Sequence, residues 1–180
     1  IFQTNNAGQG GGAILSKSGN PTIESWVWTN VSFTGNTAGA INGGAVNVAM
    51  KQLSWNMTDC HFESNTAPLG AAIYWNITQN IRWNWQDTNV TSHTTTAIYL
   101  DVSLTAVING VLNNNTLTHN GGGPAFFTMS ASTGSAAISF LASNIVNNDG
   151  AGINFGFGGL STTSWNINIS QCSISSNGGG

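Results

Sequence analysis

Apolar and polar residues alternate along short runs of this chain, and the runs recur. Val46 and Val48, then Ile73, Trp75 and Ile77, then Ile98 and Leu100 lie two apart. That is the period of a strand with one buried face. No window carries a convincing helical period, and the density of Asn, Thr, Ser and Gly weighs against helices. Each run occupies the same place in a longer unit. Residues 55–65 have counterparts at 26–36, 83–93, 110–120, 138–148 and 167–177, and residues 2–5 read as the tail of one more. The apolar residue near the end of each unit falls at Phe2, Phe33, Phe62, Val90, Leu117, Ile145 and Ile174, in steps of 31, 29, 28, 27, 28 and 29 residues. A period of this size, kept through the whole chain, is the signature of a solenoid.

A second piece follows each of these segments. Gly11-Gly12-Ala13-Ile14, Gly43-Gly44-Ala45-Val46 and Gly70-Ala71-Ala72-Ile73 are echoed by Thr96-Ala97-Ile98, Pro124-Ala125-Phe126 and Ala151-Gly152-Ile153. Small residues and Gly at these points mark a tight corner. One unit therefore holds two or three short strands separated by corners. Stacking pairs each strand in parallel with its copy in the next coil, which makes an all-β parallel β-helix. The expectation is a single domain over residues 1–180 with about six coils of 27–31 residues, at roughly 6–36, 37–65, 66–93, 94–120, 121–148 and 149–177. Six coils at about 4.8 Å each form a rod roughly 29 Å long.

Alignment on the recurring apolar residue turns the units into columns. Seven positions before it stand Trp26, Trp55, Trp83, Gly110, Ile138 and Ile167; five before it stand Trp28, Met57, Trp85, Leu112, Phe140 and Ile169. These read as inward stacks with aromatic contacts between coils, above all Trp26, Trp55, Trp83, Trp28 and Trp85. Two positions before it come the small or medium residues Val31, Cys60, Thr88, Asn115, Ser143 and Cys172. Three positions before it are Asn30, Asp59, Asp87, Asn114, Ala142 and Gln171. Three positions after it are Asn5, Asn36, Asn65, His93, Asn120, Asn148 and Asn177. Asn repeated at one place can bond the local backbone, tolerate a left-handed corner and bond its own copies along the axis. Both the Asn5 column and the Asn30, Asp59, Asp87 and Asn114 column are expected to be structural ladders.

Composition narrows the function. Charged residues are 5%, while Asn, Ser and Thr number 25, 19 and 20. With seven Trp, eight Phe and 40% hydrophobic residues the chain is not a disordered one. Three basic residues (Lys17, Lys51 and Arg82) and a net charge of −3 cannot neutralise a phosphate backbone, so nucleic acid is not an expected partner. No run approaches the roughly 18 apolar residues of a membrane span.

The tetrapeptide Gly-Gly-Ala-Ile/Val followed by Phe-x-x-Asn, intact at 11–14 with 33–36 and at 43–46 with 62–65, resembles repeats of chlamydial polymorphic outer-membrane proteins. It is also similar to the wider group of adhesin passengers and pectate-lyase-like proteins. The resemblance implies a right-handed β-helix and an extracellular or cell-surface location. The first residues, 2–12, and the last, 174–180, lie at the same phase of the repeat, and neither reads as a cap. A chain that opens on Ile1 is expected to be a processed product or a portion of a longer solenoid. Uncapped coils are expected to stack head to tail, a contact that propagates without closing.

Candidate chemistry is sparse. Asp59 and Asp87 fall in one column, one coil apart, a spacing that would suit a retaining glycosidase pair. Asn30 and Asn114 share that column, so it reads instead as a corner ladder, and no catalytic residue is assigned. His61, His93 and His119 fall in three columns and three coils, as solvated or corner histidines, so neither a metal nor a cofactor is expected. Cys60 and Cys172 share a column but lie four coils apart, about 19 Å, too far for a disulfide. Six Asn-x-Ser/Thr sequons occur. Asn56, Asn76, Asn89 and Asn168 lie between inward residues and so face out, as the first candidates for glycans; Asn30 and Asn114, in the ladder column, are weaker ones. Glycans would give solubility to a surface with so few charges. The expected role is a structural, non-enzymatic extracellular fibre subunit or surface adhesin segment. The alternative is a β-helix that binds or processes polysaccharide.

Overall fold

A computed structural model of the chain describes residues 1–8, 11–19, 21–40, 42–102, 107–123, 125–130, 135–157 and 164–178. Pro124, Gly179 and Gly180, which belong to the corner and end segments noted above, lie outside the described residues. Every strand pair is parallel, no helix occurs among the described residues, and the strands stack as a β-solenoid. In such a stack each coil is held by its neighbours above and below.

Two sheets form the main walls. The first consists of the short strands Phe2–Gln3, Ser32–Thr34, His61–Glu63, Asn89–Thr91, Thr116–Thr118, Asn144–Val146 and Ser173–Ser175, in that spatial order. Their register pairs Phe2 with Phe33, Phe33 with Phe62, Phe62 with Val90, and so on to Ile174. The period read from the apolar residues is therefore the coil-to-coil register itself. The second sheet has ten strands. In two coils a single bent strand, Val46–Thr58 or Ile73–Gln86, serves it. In the others two strands do so: Ile14–Ser18 with Glu24–Thr29, Ile98–Val102 with Val107–Asn113, Phe126–Ser130 with Ser135–Leu141, and Ile153–Phe157 with Ser164–Ser170. At the bend Met50 faces Ile77 but Gln52 faces Asn80, so the Ile73–Gln86 strand carries one extra residue as a bulge. Asn6–Ala7 and Thr37–Ala38 add a two-stranded sheet at one corner.

The interior is built from the columns. Phe2 stacks on Phe33 with centroids 4.8 Å apart, and Phe33 on Phe62 at 4.9 Å, the spacing of the coils. Trp55 packs edge-to-face on Trp28, Trp75 and Trp85. Trp75, Trp83 and Trp85 are buried with it, whereas Trp26 and Trp28, in the first coil, are half-buried. Trp75, inward by the alternation of Ile73, Trp75 and Ile77 but in a different column from the other tryptophans, closes the cluster at 5.4 Å from Trp83 and 5.1 Å from Trp85. The indole N–H groups of Trp55, Trp75, Trp83 and Trp85 are buried without a hydrogen-bond acceptor. Their neighbours there are other aromatic rings, edge-to-face for Trp55, Trp75 and Trp85 and tilted for Trp83. Gly110 stands in the Trp83 column for a steric reason: a methyl group built on it would fall inside the Trp83 indole.

Candidate functional site

The polar features of this fold run along its axis. Asn36, Asn65, Asn120 and Asn148 are buried, and Asn5 and Asn177 continue their line at the two terminal described coils. Asn36 Oδ1 accepts from both the backbone N–H and the Nδ2 of Asn5, at 3.1 and 2.8 Å. Asn65 Oδ1 accepts in the same way from Asn36, at 2.9 Å for each donor. The pattern recurs from Asn120 to Asn148 and from Asn148 to Asn177. The remaining Nδ2 proton goes to a main-chain carbonyl of the preceding coil: Phe2, Phe33, Val90, Leu117 and Ile145 in turn. Asn36, Asn120 and Asn148 thus use both Nδ2 protons and accept at Oδ1, while Asn65 Nδ2 bonds the Phe33 carbonyl alone.

His93 interrupts this line. Its Nδ1 accepts the Asn65 N–H at 3.0 Å, and its own N–H donates to Asn120 Oδ1 at 3.2 Å. Its Nε2 is buried and completes no hydrogen bond. Burial pushes its pKa down to about 4, against the opposing pull of the Asn65 and Phe62 carbonyls and with a small contribution from His61. His93 is therefore a buried rung, as its place in the Asn5 column implies, and not the solvated or corner residue expected of the three histidines. His61 and His119 differ from it. His61 Nε2 pairs with Glu63 Oε2 at 3.3 Å, partly exposed, and His119 is exposed with Nδ1 3.0 Å from Thr118 Oγ1.

The second internal ladder lies one column away from the expected place. Asn115 Oδ1 accepts the Thr88 N–H at 2.8 Å, its Nδ2 donates to the Trp85 carbonyl at 3.0 Å, and Ser143 Oγ accepts the Asn115 N–H at 3.1 Å. Cys60 and Cys172 hold the same column as free thiols, and burial raises the Cys60 pKa. Asn30, Asp59, Asp87 and Asn114 form the left-handed corner beside it, with φ between 53° and 56°. Asn30, Asp59 and Asn114 are exposed, and the one bond along this column runs from Asn114 Nδ2 to Asp87 Oδ1 at 2.5 Å. The other left-handed column is Thr4, Gly35, Ser64, Ser92, His119, Asn147 and Ser176, one residue before the buried Asn line. Left-handed corners and buried amide bonding, expected together in each of the two ladder columns, are divided between neighbouring positions.

On the outside, Asn56, Asn89 and Asn168 are exposed and Asn76 is half-buried. Tyr74 and Tyr99 stack with centroids 5.5 Å apart. The Tyr74 hydroxyl donates to Asp101 Oδ2 at 3.3 Å, and burial, then the Asp101 charge, push its pKa up to about 12. Among the described residues no group of three His, Cys, Asp or Glu side chains converges, and no helix is long and apolar enough to cross a membrane. The fold and these ladders define a parallel β-solenoid repeat protein. No protein-family model, curated protein or solved structure matches the chain.

Proposed function

We propose that this chain is a structural, non-enzymatic stretch of an extracellular fibre or surface adhesin, in which coils are added by axial stacking. The observation that carries the reading is the buried amide line, whose bonding rule is the same at the outermost intervals as inside, Asn5 to Asn36 and Asn148 to Asn177. A further coil would pair by the same bonds. The resemblance of the Gly-Gly-Ala-Ile/Val and Phe-x-x-Asn repeats to adhesin passengers supports the same role. Stacking between copies predicts filaments of the native material in electron microscopy, with the coil spacing of about 4.8 Å continued along the axis. Discrete particles at every concentration would overturn the filament form of the reading.

The extracellular part of the reading has its own test. In material secreted by a eukaryotic cell, glycans are expected on Asn56, Asn89 and Asn168 first, and then on Asn76. Asn30 and Asn114 are exposed but sit in the left-handed corner, and the Asn114 amide is engaged with Asp87, so lower occupancy is expected there. Intact mass and glycopeptide spectra read the outcome; all four first-choice sites unmodified would remove glycosylation from the proposal.

A further inference from the structure

Two shallow hollows meet on the outer face of the ten-stranded sheet. The first, about 440 Å³, has an apolar wall of the exposed Ile23 and Val107, with Ser25 and Asn80 beside it. The second, about 390 Å³, follows the axis over the neighbouring coils and is lined by Asn56, Asn84, Asn109 and Ser139 together with the apolar Val111 and Ala137. Ser54 and Arg82 line both. The register sets Arg82 between Ser54 and Asn109 in the outward column.

Arg82 is the only arginine of the chain, and it is exposed. The one ion pair among the described residues is His61 with Glu63, so no carboxylate neutralises Arg82, and none of the residues lining either hollow is acidic. In a chain of net charge −3 this is an isolated cationic site at the junction of two recesses. A guanidinium presents a planar fork of donors that matches a carboxylate in two parallel bonds. The amide and hydroxyl groups on one side both donate and accept, which suits a ligand rich in hydroxyl groups. The wall on the other side suits a small apolar substituent.

We propose that this junction binds a carboxylated, N-acylated sugar residue. The carboxylate sits on the Arg82 fork, the acyl methyl lies against Ile23 and Val107, and the hydroxyl groups face Asn84, Asn109 and Ser139. The site deepens the adhesin side of the function proposed above by naming what such a surface would hold. Its failure is separable from that of the stacking reading, because microscopy reports one and ligand binding the other.

The test is a ligand-observed NMR titration of the full chain, produced in a bacterial host so that Asn56, at the rim, carries no glycan. Three sugars are compared: N-acetylneuraminic acid, with both a carboxylate and an acetamido group; glucuronic acid, with the carboxylate alone; and N-acetylglucosamine, with the acetamido group alone. The first is expected to bind most tightly, with each of the others weaker by roughly tenfold or more, the worth of one charge-assisted bond or apolar anchor. Arg82→Met is expected to abolish the preference. Arg82→Lys, which keeps the charge but not the fork, should restore only part of it and decides the matter if the methionine variant misfolds. Equal binding of the three sugars, no binding of N-acetylneuraminic acid, or binding untouched by both substitutions overturns the proposal.

Discussion

Gly110→Ala is expected to destabilise the solenoid by about 3 kcal/mol, the upper end of the cost of overpacking a core. The change adds one methyl group in a strand, where alanine is ordinarily no worse than glycine. The penalty arises because that methyl would occupy the space of the Trp83 indole ring. Trp83 cannot easily turn away: it is 3% exposed and packs on Trp75 and Phe126. Equilibrium unfolding in urea measures the effect as a shift in midpoint at unchanged slope. The decisive comparison is the double variant. With Trp83→Leu in the background, the methyl enters space the indole has left, and Gly110→Ala should then cost less than about 1 kcal/mol or be stabilising. The same penalty in both backgrounds would show that the Trp83 contact is not its cause.

The second large effect is acid sensitivity centred on His93. Its pKa is about 4 in the fold, against the ordinary value of 6.5 in the unfolded chain. Above about pH 6.5 the imidazole is neutral in both states, and its contribution is fully present. As pH falls, the unfolded chain takes up a proton that the fold resists, so stability declines through this window and the loss levels off near pH 4. The difference corresponds to about 3 kcal/mol. Geometry gives the same sign, since a proton on Nδ1 removes the acceptor for the buried Asn65 N–H. His93→Asn should flatten this part of the pH profile. It would also supply the Oδ1 and Nδ2 that every other buried member of the line uses, so stability near pH 7 should be at least that of the parent. Unfolding of both chains at about pH 7 and about pH 4.5 is the measurement, and comparing the two cancels the other titrating groups. An equal acid loss in the two chains would remove His93 as its source.

These two residues show how far the amino-acid order could be read. Gly110 and His93 both appear in the aligned columns as departures, one among large inward residues and one among asparagines. Alignment marks that something differs there but not what occupies the space. For Gly110 the answer is the Trp83 ring of the preceding coil; for His93 it is a backbone N–H that needs an acceptor. The division of labour around the corners was hidden for a similar reason. The buried amide column and the left-handed column are adjacent in sequence, and a shift of one residue in a strand or corner exchanges inside for outside. Asn115, one residue beyond Asn114, is consequently the internal rung, while Asn114 is exposed.

What the chain determined by itself is the solenoid and its register. The spacing of Phe2, Phe33, Phe62, Val90, Leu117, Ile145 and Ile174 reappears residue for residue as strand pairing. In a repeat fold each contact joins a residue to its own copy one period away, so periodicity along the chain is already a map of neighbours in space. Only the tertiary structure decided what depends on the shape of the coil rather than its length. It brought Trp75 into the tryptophan cluster, turned His93 inward, and placed Arg82, without a carboxylate partner, where two recesses meet. Those outcomes depend on how the bends at the corners aim side chains from different columns at one another, and a linear period carries no information about that angle.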